Sequence, residues 1–159
     1  MSGLEPPCFA WHNAKMPQEI WKKYQSMKIY RINGERFSTL EEFYEEISRV
    51  LIPGSKWGYN LNAFNDILRG GFGTPDEGFM LIWENSELSK SRLGYSETVR
   101  QLEQRLERCH PTNRNCVRKQ LKRAHSSEGP VVFDWLVEII AVHGVGGTEA
   151  EDNVILKLR

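Results

Sequence analysis

The chain has 159 residues, of which 40% are apolar and 26% charged. That balance, with 5 Trp, 5 Tyr and 7 Phe, excludes a wholly disordered chain, a collagen and a coiled-coil rod. Lys and Arg number 21, as do Asp and Glu, so no global field draws the protein to nucleic acid or to an anionic membrane.

Residues 1–27 hold three prolines and no sustained period, and read as an N-terminal extension of a domain over 28–159. The other reading is an arm that packs on the domain through Trp11 and Trp21, because two tryptophans are costly to leave in water. The start of the chain lacks the apolar stretch of a secretory signal, and no run approaches the roughly 18 apolar residues of a membrane span. Cys8, Cys109 and Cys116 are too few, and odd in number, for a secreted disulfide framework. A reducing cytoplasm is the expected compartment.

Lys28 to Ile32 alternates as a strand, and Asn33-Gly34 turns after it. Ser38 with Glu41 three residues on predicts a capping box. The helix that follows has Leu40, Phe43, Ile47, Val50 and Leu51 on one face, and Pro53-Gly54 stops it. Asn60 predicts the N-cap of a short helix that ends at Gly70-Gly71. A Gly/Pro-rich loop then leads to Phe79–Glu84, apolar enough for a strand buried on both faces. Residues 86–93 read as a helical turn. Ser96, Val99, Leu102 and Leu106 mark another amphipathic helix. From Pro111 to Glu128 five cations (Arg114, Arg118, Lys119, Lys122, Arg123) face Glu128 alone, a net +4. The run from Pro130 to Gly144 is the most apolar helix, expected at the centre of the packing, with Trp83 and Trp135 as core residues. Residues 154–158 form the last strand. Strands separated by helices imply crossovers and a parallel sheet, hence an α/β fold.

On the short helix, about 100° per residue sets Leu61, Phe64, Ile67 and Leu68 on one side. Asn62, Asn65, Asp66 and Arg69 fall on the other, with Asp66 the sole acid. Most such faces are merely solvated. This one lies between an aromatic loop (Trp57, Tyr59) and Phe72, and exposed aromatics around a polar centre make the composition of a protein-binding patch. Elsewhere, Cys109, His110, Cys116 and His125 match no common zinc spacing. Gly144-Val145-Gly146-Gly147 follows a helix and reads as a C-cap and turn, with His143 a partner of the helix dipole. No Ser/His/Asp or Cys/His set and no phosphate loop is recognisable, so no catalytic residue, metal or cofactor is expected.

The residues Tyr30-x-Ile32-Asn33-Gly34, then Trp57-Gly58-x-Asn60-Leu61-x-Ala63-x-x-Asp66-x-Leu68, then Leu81-Ile82-Trp83 and Ser89-Lys90, resemble the barstar family, intracellular inhibitors of the secreted ribonuclease barnase. The resemblance covers roughly 28–93 and resumes at 130–158. It implies a three-stranded parallel sheet flanked by helices, and a helix whose acid, here Asp66, enters a nuclease active site together with the loop before it. Trp57, Gly58 and Asn60 match that loop and cap. Asn62 stands where the family has an acid and Asn65 where it has an aromatic; Arg69 lies within pairing reach of Asp66 at i,i+3. Residues 94–129 have no counterpart and read as an inserted helical pair. Trp57, Gly58, Tyr59, Asn60, Asn62, Asn65, Asp66, Arg69 and Phe72 are thus the candidate contacts to a cognate toxin, a secreted or effector ribonuclease. The alternatives are an immunity protein against a toxin of another kind and a nucleic-acid-binding module using 111–129. No aromatic residue in that segment is placed to stack a base.

Overall fold

The computed structural model describes residues 17–159; Cys8 and Trp11 lie outside them. In chain order the elements are α1 (Gln18–Ser26), β1 (Lys28–Asn33), α2 (Leu40–Leu51), α3 (Leu61–Arg69), β2 (Phe79–Glu84), α4 (Ser86–Arg92), α5 (Tyr95–Arg108), α6 (Arg114–His125), α7 (Val132–Val142) and β3 (Val154–Leu158). No helix among the described residues is long and apolar enough to cross a membrane.

The three strands form one parallel sheet in the order β1-β2-β3, with Lys28 beside Phe79 and Phe79 beside Val154. Both crossovers run through helices, as parallel pairing requires. The alternation of β2 divides the interior. Phe79, Leu81 and Trp83 point into the main core, under α2, α3 and α7. Met80 and Ile82 point to the second face, where they meet Ile155, Met27 and the partly buried Tyr24 and Ile29. Met27, counted with the extension from the sequence, is therefore a buried residue of the domain.

Trp83 is fully buried, packs on Phe37, Phe43 and Phe133, and donates through Nε1 to Ser89 Oγ at 2.9 Å. That same hydroxyl explains the Asn33-Gly34 turn. A Cβ at Gly34 would lie 2.3 Å from Ser89 Oγ and 2.5 Å from Asn85 O, far inside van der Waals contact. Trp135 departs from the expectation of a core residue. It is only half-buried, because it bridges the main core and a small cluster of Leu102, Val117 and Ala124 between α5 and α6.

The N-terminus of α2 is displaced one residue from the expected box. Thr39 is the N-cap and accepts from the Glu42 amide at 3.2 Å, while Glu42 Oε2 accepts from the Ser38 amide at 2.6 Å. Glu41 is unable to serve because Arg100 and Gln101 of α5 take its carboxylate. A second non-local cap completes this end. The buried Glu97 of α5 accepts the Leu40 amide at 2.9 Å and is itself held by Arg100 at 2.7 Å. Thr98 Oγ1 likewise accepts the Val132 amide, the first of α7, at 2.9 Å. Thus α5 is joined to α2 and α7 by buried polar bonds. Among the described residues, the hydrophobic contacts of α6 are with α5 and Trp135.

Candidate functional site

The loop before α3 is pinned from beneath by Ser48 on α2. Trp57 Nε1 donates to Ser48 Oγ at 2.6 Å, and that hydroxyl donates to Tyr59 Oη at 3.3 Å. The two rings stack with centroids 4.7 Å apart, and Trp57 meets Tyr44 edge-on at 5.3 Å. Tyr59 has φ +49°, in the left-handed region, and is half exposed. A bulky residue there carries backbone strain of about 1–3 kcal/mol, a cost commonly met at functional sites. Gly58 permits the turn: a Cβ on it would lie 2.8 Å from Asn60 Nδ2 and 3.1 Å from Ala63 Cβ. Asn60 caps α3 as expected, accepting from the Ala63 amide at 2.9 Å and donating to Gly58 O at 3.1 Å.

The inner face of α3 buries Phe64, Ile67 and Leu68 in the main core. On its outer face Asn62 and Asp66 are exposed, one turn apart, with the Asp66 side chain 55% accessible. Phe72, on the following loop, is also exposed. Two members of the polar face are tied to a distant segment, residues 143–153. Arg69 donates to Asp66 Oδ1 at 2.9 Å, the internal pair anticipated from the spacing, and also forks onto Glu149 at 2.6 and 2.5 Å. Asn65 turns inward, where its Oδ1 lies 2.7 Å from Nε2 of the fully buried His143. The other ring nitrogen of His143 lies 2.6 Å from Asp152 Oδ2.

His143 thus bridges α3 to the loop before β3, a role beyond the dipole partner expected from sequence. Glu149 and Asp152 were not singled out by sequence reasoning. Their only signal is that a polar, acid-bearing run follows the C-terminus of α7; the partners lie 80 residues apart. Hydrogen bonds from Arg69, together with its charge, hold the Glu149 carboxyl below the ordinary carboxylate range against a smaller opposing effect of burial. His143, Glu149 and Asp152 form the one cluster of metal-ligand type found among the described residues, and its polar atoms already engage Arg69 and Asn65. Cys109 and Cys116 are free thiols.

The arrangement is a braced helix that offers the Asp66 carboxylate on its outer face and is preceded by a fixed aromatic stack. Asp66 shares Arg69 with Glu149, so the cluster of these three groups keeps a net negative charge. Such a surface can pair with cations in a concave partner and exclude water around the pairs.

A family model described as Barstar (barnase inhibitor) matches residues 27–129. The match includes the 94–129 helical pair and stops before α7 and β3, which the parallel sheet and shared core join to it. No curated protein matches the chain.

Proposed function

The chain belongs to the barstar family of ribonuclease inhibitors, and from that premise we propose that it blocks the active site of a toxic ribonuclease, acting inside the cell as an immunity protein. The observation that carries this reading is Asp66, an exposed carboxylate at the position of the family's principal acid, on a helix braced at both ends. A ribonuclease site binds phosphate through cationic groups. A carboxylate presented by a rigid helix takes the place of that phosphate and pairs with the cations. Trp57, Tyr59 and Phe72 surround the pairs and keep water out, while Gly58, Asn60 and Asn62 complete the contact edge. Substrate RNA is then excluded sterically. The chain supplies no chemistry of its own.

The partner is proposed to be a secreted or effector ribonuclease other than barnase. Asn62 and Asn65 replace an acid and an aromatic of the family pattern, and Arg69 neutralises part of the Asp66 charge. In this reading Asn65 holds α3 against His143 and does not touch the toxin.

The test is titration of the purified chain against barnase and a panel of other microbial ribonucleases, read by cleavage of a fluorogenic RNA. Stoichiometric inhibition of at least one enzyme, weakened more than tenfold by Asp66→Ala, is expected. Inhibition of none, or RNA cleavage by the chain itself, would overturn the proposal.

A further inference from the structure

Beside the aromatic loop lies a half-open groove of about 670 Å³, formed where α5 faces the start of α2 and the start of α3. Its floor is apolar: Leu61, Leu102 and Trp135. Its α5 wall carries Arg105 and Arg108, both exposed, and neither makes an ion pair among the described residues. The opposite wall carries Glu41, whose charge Arg100 already answers. A second cavity of about 310 Å³ adjoins the first across Leu61, Leu102, Arg105 and Trp135, and adds one cation, Arg123, and one acid, Glu128, neither in an ion pair among the described residues, so the arginines Arg105, Arg108 and Arg123 still outnumber the unanswered acid. The groove therefore has an apolar floor and a surplus of positive charge. Its near rim is Tyr59, Asn60 and Asn62, which belong to the proposed toxin-binding face.

We propose that this groove is a second docking site, which takes an extended acidic segment of the bound toxin. Carboxylates on that segment pair with Arg105, Arg108 and Arg123, and an alternating apolar side chain rests on Leu61 and Trp135. Arginine suits this task because its planar fork binds carboxylate through two parallel bonds. Gln104 on the same wall has a side-chain amide with no internal partner among the described residues, and it faces the peptide backbone. The inhibitor face is then bipolar. Asp66 and Glu149 meet the cations of the nuclease site, and the α5–α6 arginines meet acids on its flank, which fixes the register of the complex. A protein segment is favoured over RNA because the aromatic rings at the groove are not free to take bases, Tyr44 being buried and Tyr59 already stacked on Trp57, while the adjoining face carries the Asp66 and Glu149 carboxylates.

The inference takes the toxin as the partner and so rests on the reading above, but its test uses no toxin. The probe is a capped synthetic dodecapeptide alternating Glu with Leu and Phe, titrated into the full chain and followed by the amide and indole signals in a nitrogen–proton NMR spectrum. Shifts confined to Leu61, Leu102, Arg105, Arg108 and the Trp135 indole are expected. The double variant Arg105→Glu/Arg108→Glu should weaken binding at least fivefold, while Lys90→Glu on α4, away from the groove, should leave it unchanged. Both variants change exposed residues, and the dispersion of the same spectra reports that they fold. A silent groove, or an equal effect of Lys90→Glu, overturns the inference even if a ribonuclease is inhibited. Stronger shifts of the same signals by a uridine dodecamer RNA also overturn it. Peptide binding at the groove with no ribonuclease inhibited supports the groove and sinks the toxin reading alone.

Discussion

The two helical surfaces that flank the Trp57–Tyr59 loop are built on opposite terms. On α3 almost every polar group has an internal partner: Asn65 has His143, Arg69 has Asp66 and Glu149, and Asn60 caps its own helix. On the α5–α6 pair the bonded groups, Glu97, Thr98 and Arg100, face inward to α2 and α7, while Arg105, Arg108 and Arg123 line the groove with no ion pair among the described residues. The contrast teaches where rigidity and where adaptability are placed. A carboxylate proposed to enter a preformed cationic site gains from being held still, because less freedom is lost on binding. Unpaired arginines on long stems follow a partner whose shape is less fixed.

The sharpest break in this comparison comes from Asp66. Its side chain faces water, so Asp66→Ala should leave the melting temperature within about a degree, as surface changes usually do. Binding should suffer far more. Removing one member of a desolvated interfacial charge pair costs about 2–5 kcal/mol, a range to which complexes of this same family contributed. The measurement is a thermal melt beside an inhibition titration, and unchanged inhibition would move the interface away from α3.

His143→Ala tests the bracing of α3 itself. It empties a buried site and strips partners from Asn65 and Asp152, so about 2–4 kcal/mol of stability should be lost. At this chain length each kcal/mol lowers the melting temperature by about 2–4 °C. Glu97→Ala is the matching cut on the α5 side. It leaves the Leu40 amide unpaired and Arg100 with Glu41 as its one remaining acid among the described residues, and about 2–3 kcal/mol should go. If denaturant melts showed either change to be neutral, the internal bonds would not be what stiffens that side.

Acid should loosen the α3 side through Glu149. Its folded carboxyl is held below the ordinary value, chiefly by Arg69. The stabilisation is therefore complete above the unfolded value, near pH 4.3, and is lost as pH falls through the lower folded value. Hydrogen exchange should show α3 protection falling below about pH 4.5. Glu149→Gln should already lack that protection at pH 7 and show a flatter acid response.

The smallest effect is expected from shortening 111–127 to a brief linker. That removes α6, whose apolar contacts among the described residues are with α5 and Trp135, and cooperative unfolding should persist. Circular dichroism melts of the shortened chain check it, and loss of a cooperative transition would make α6 part of the core.

Most of the fold was legible because the punctuation is local. Asn33-Gly34, Pro53-Gly54, Gly70-Gly71 and Asn60 bound their elements where the structure has them, and the β2 run announces a strand with two buried faces. Two of the misreadings share one cause: a partner far along the chain. The spacing from Ser38 assigns Glu41 to the α2 box, yet Arg100 claims it. The helical spacing sets Asn65 among the toxin contacts beside Asp66, yet His143 draws it inward from 78 residues away. Trp135 looked like core by composition, and the α5–α6 groove leaves one side of it open. For the candidate site, the loop and Asp66 were visible in the motif. Glu149 and Asp152 were not, since an acid after a helix carries no mark of what it will meet.

The second face of the sheet bears on how the protein behaves in a crowd. Met80, Ile82 and Ile155 make a greasy strip across two adjacent strands, and Tyr24 and Met27 shield it from solvent. A copy cut at residue 28 would keep the outer face of α3 yet offer neighbours a bare apolar band, the kind of patch through which soluble proteins stick to one another. The short helix ahead of the first strand thus acts as a colloidal safeguard, and its loss should register first as rising light scattering with concentration.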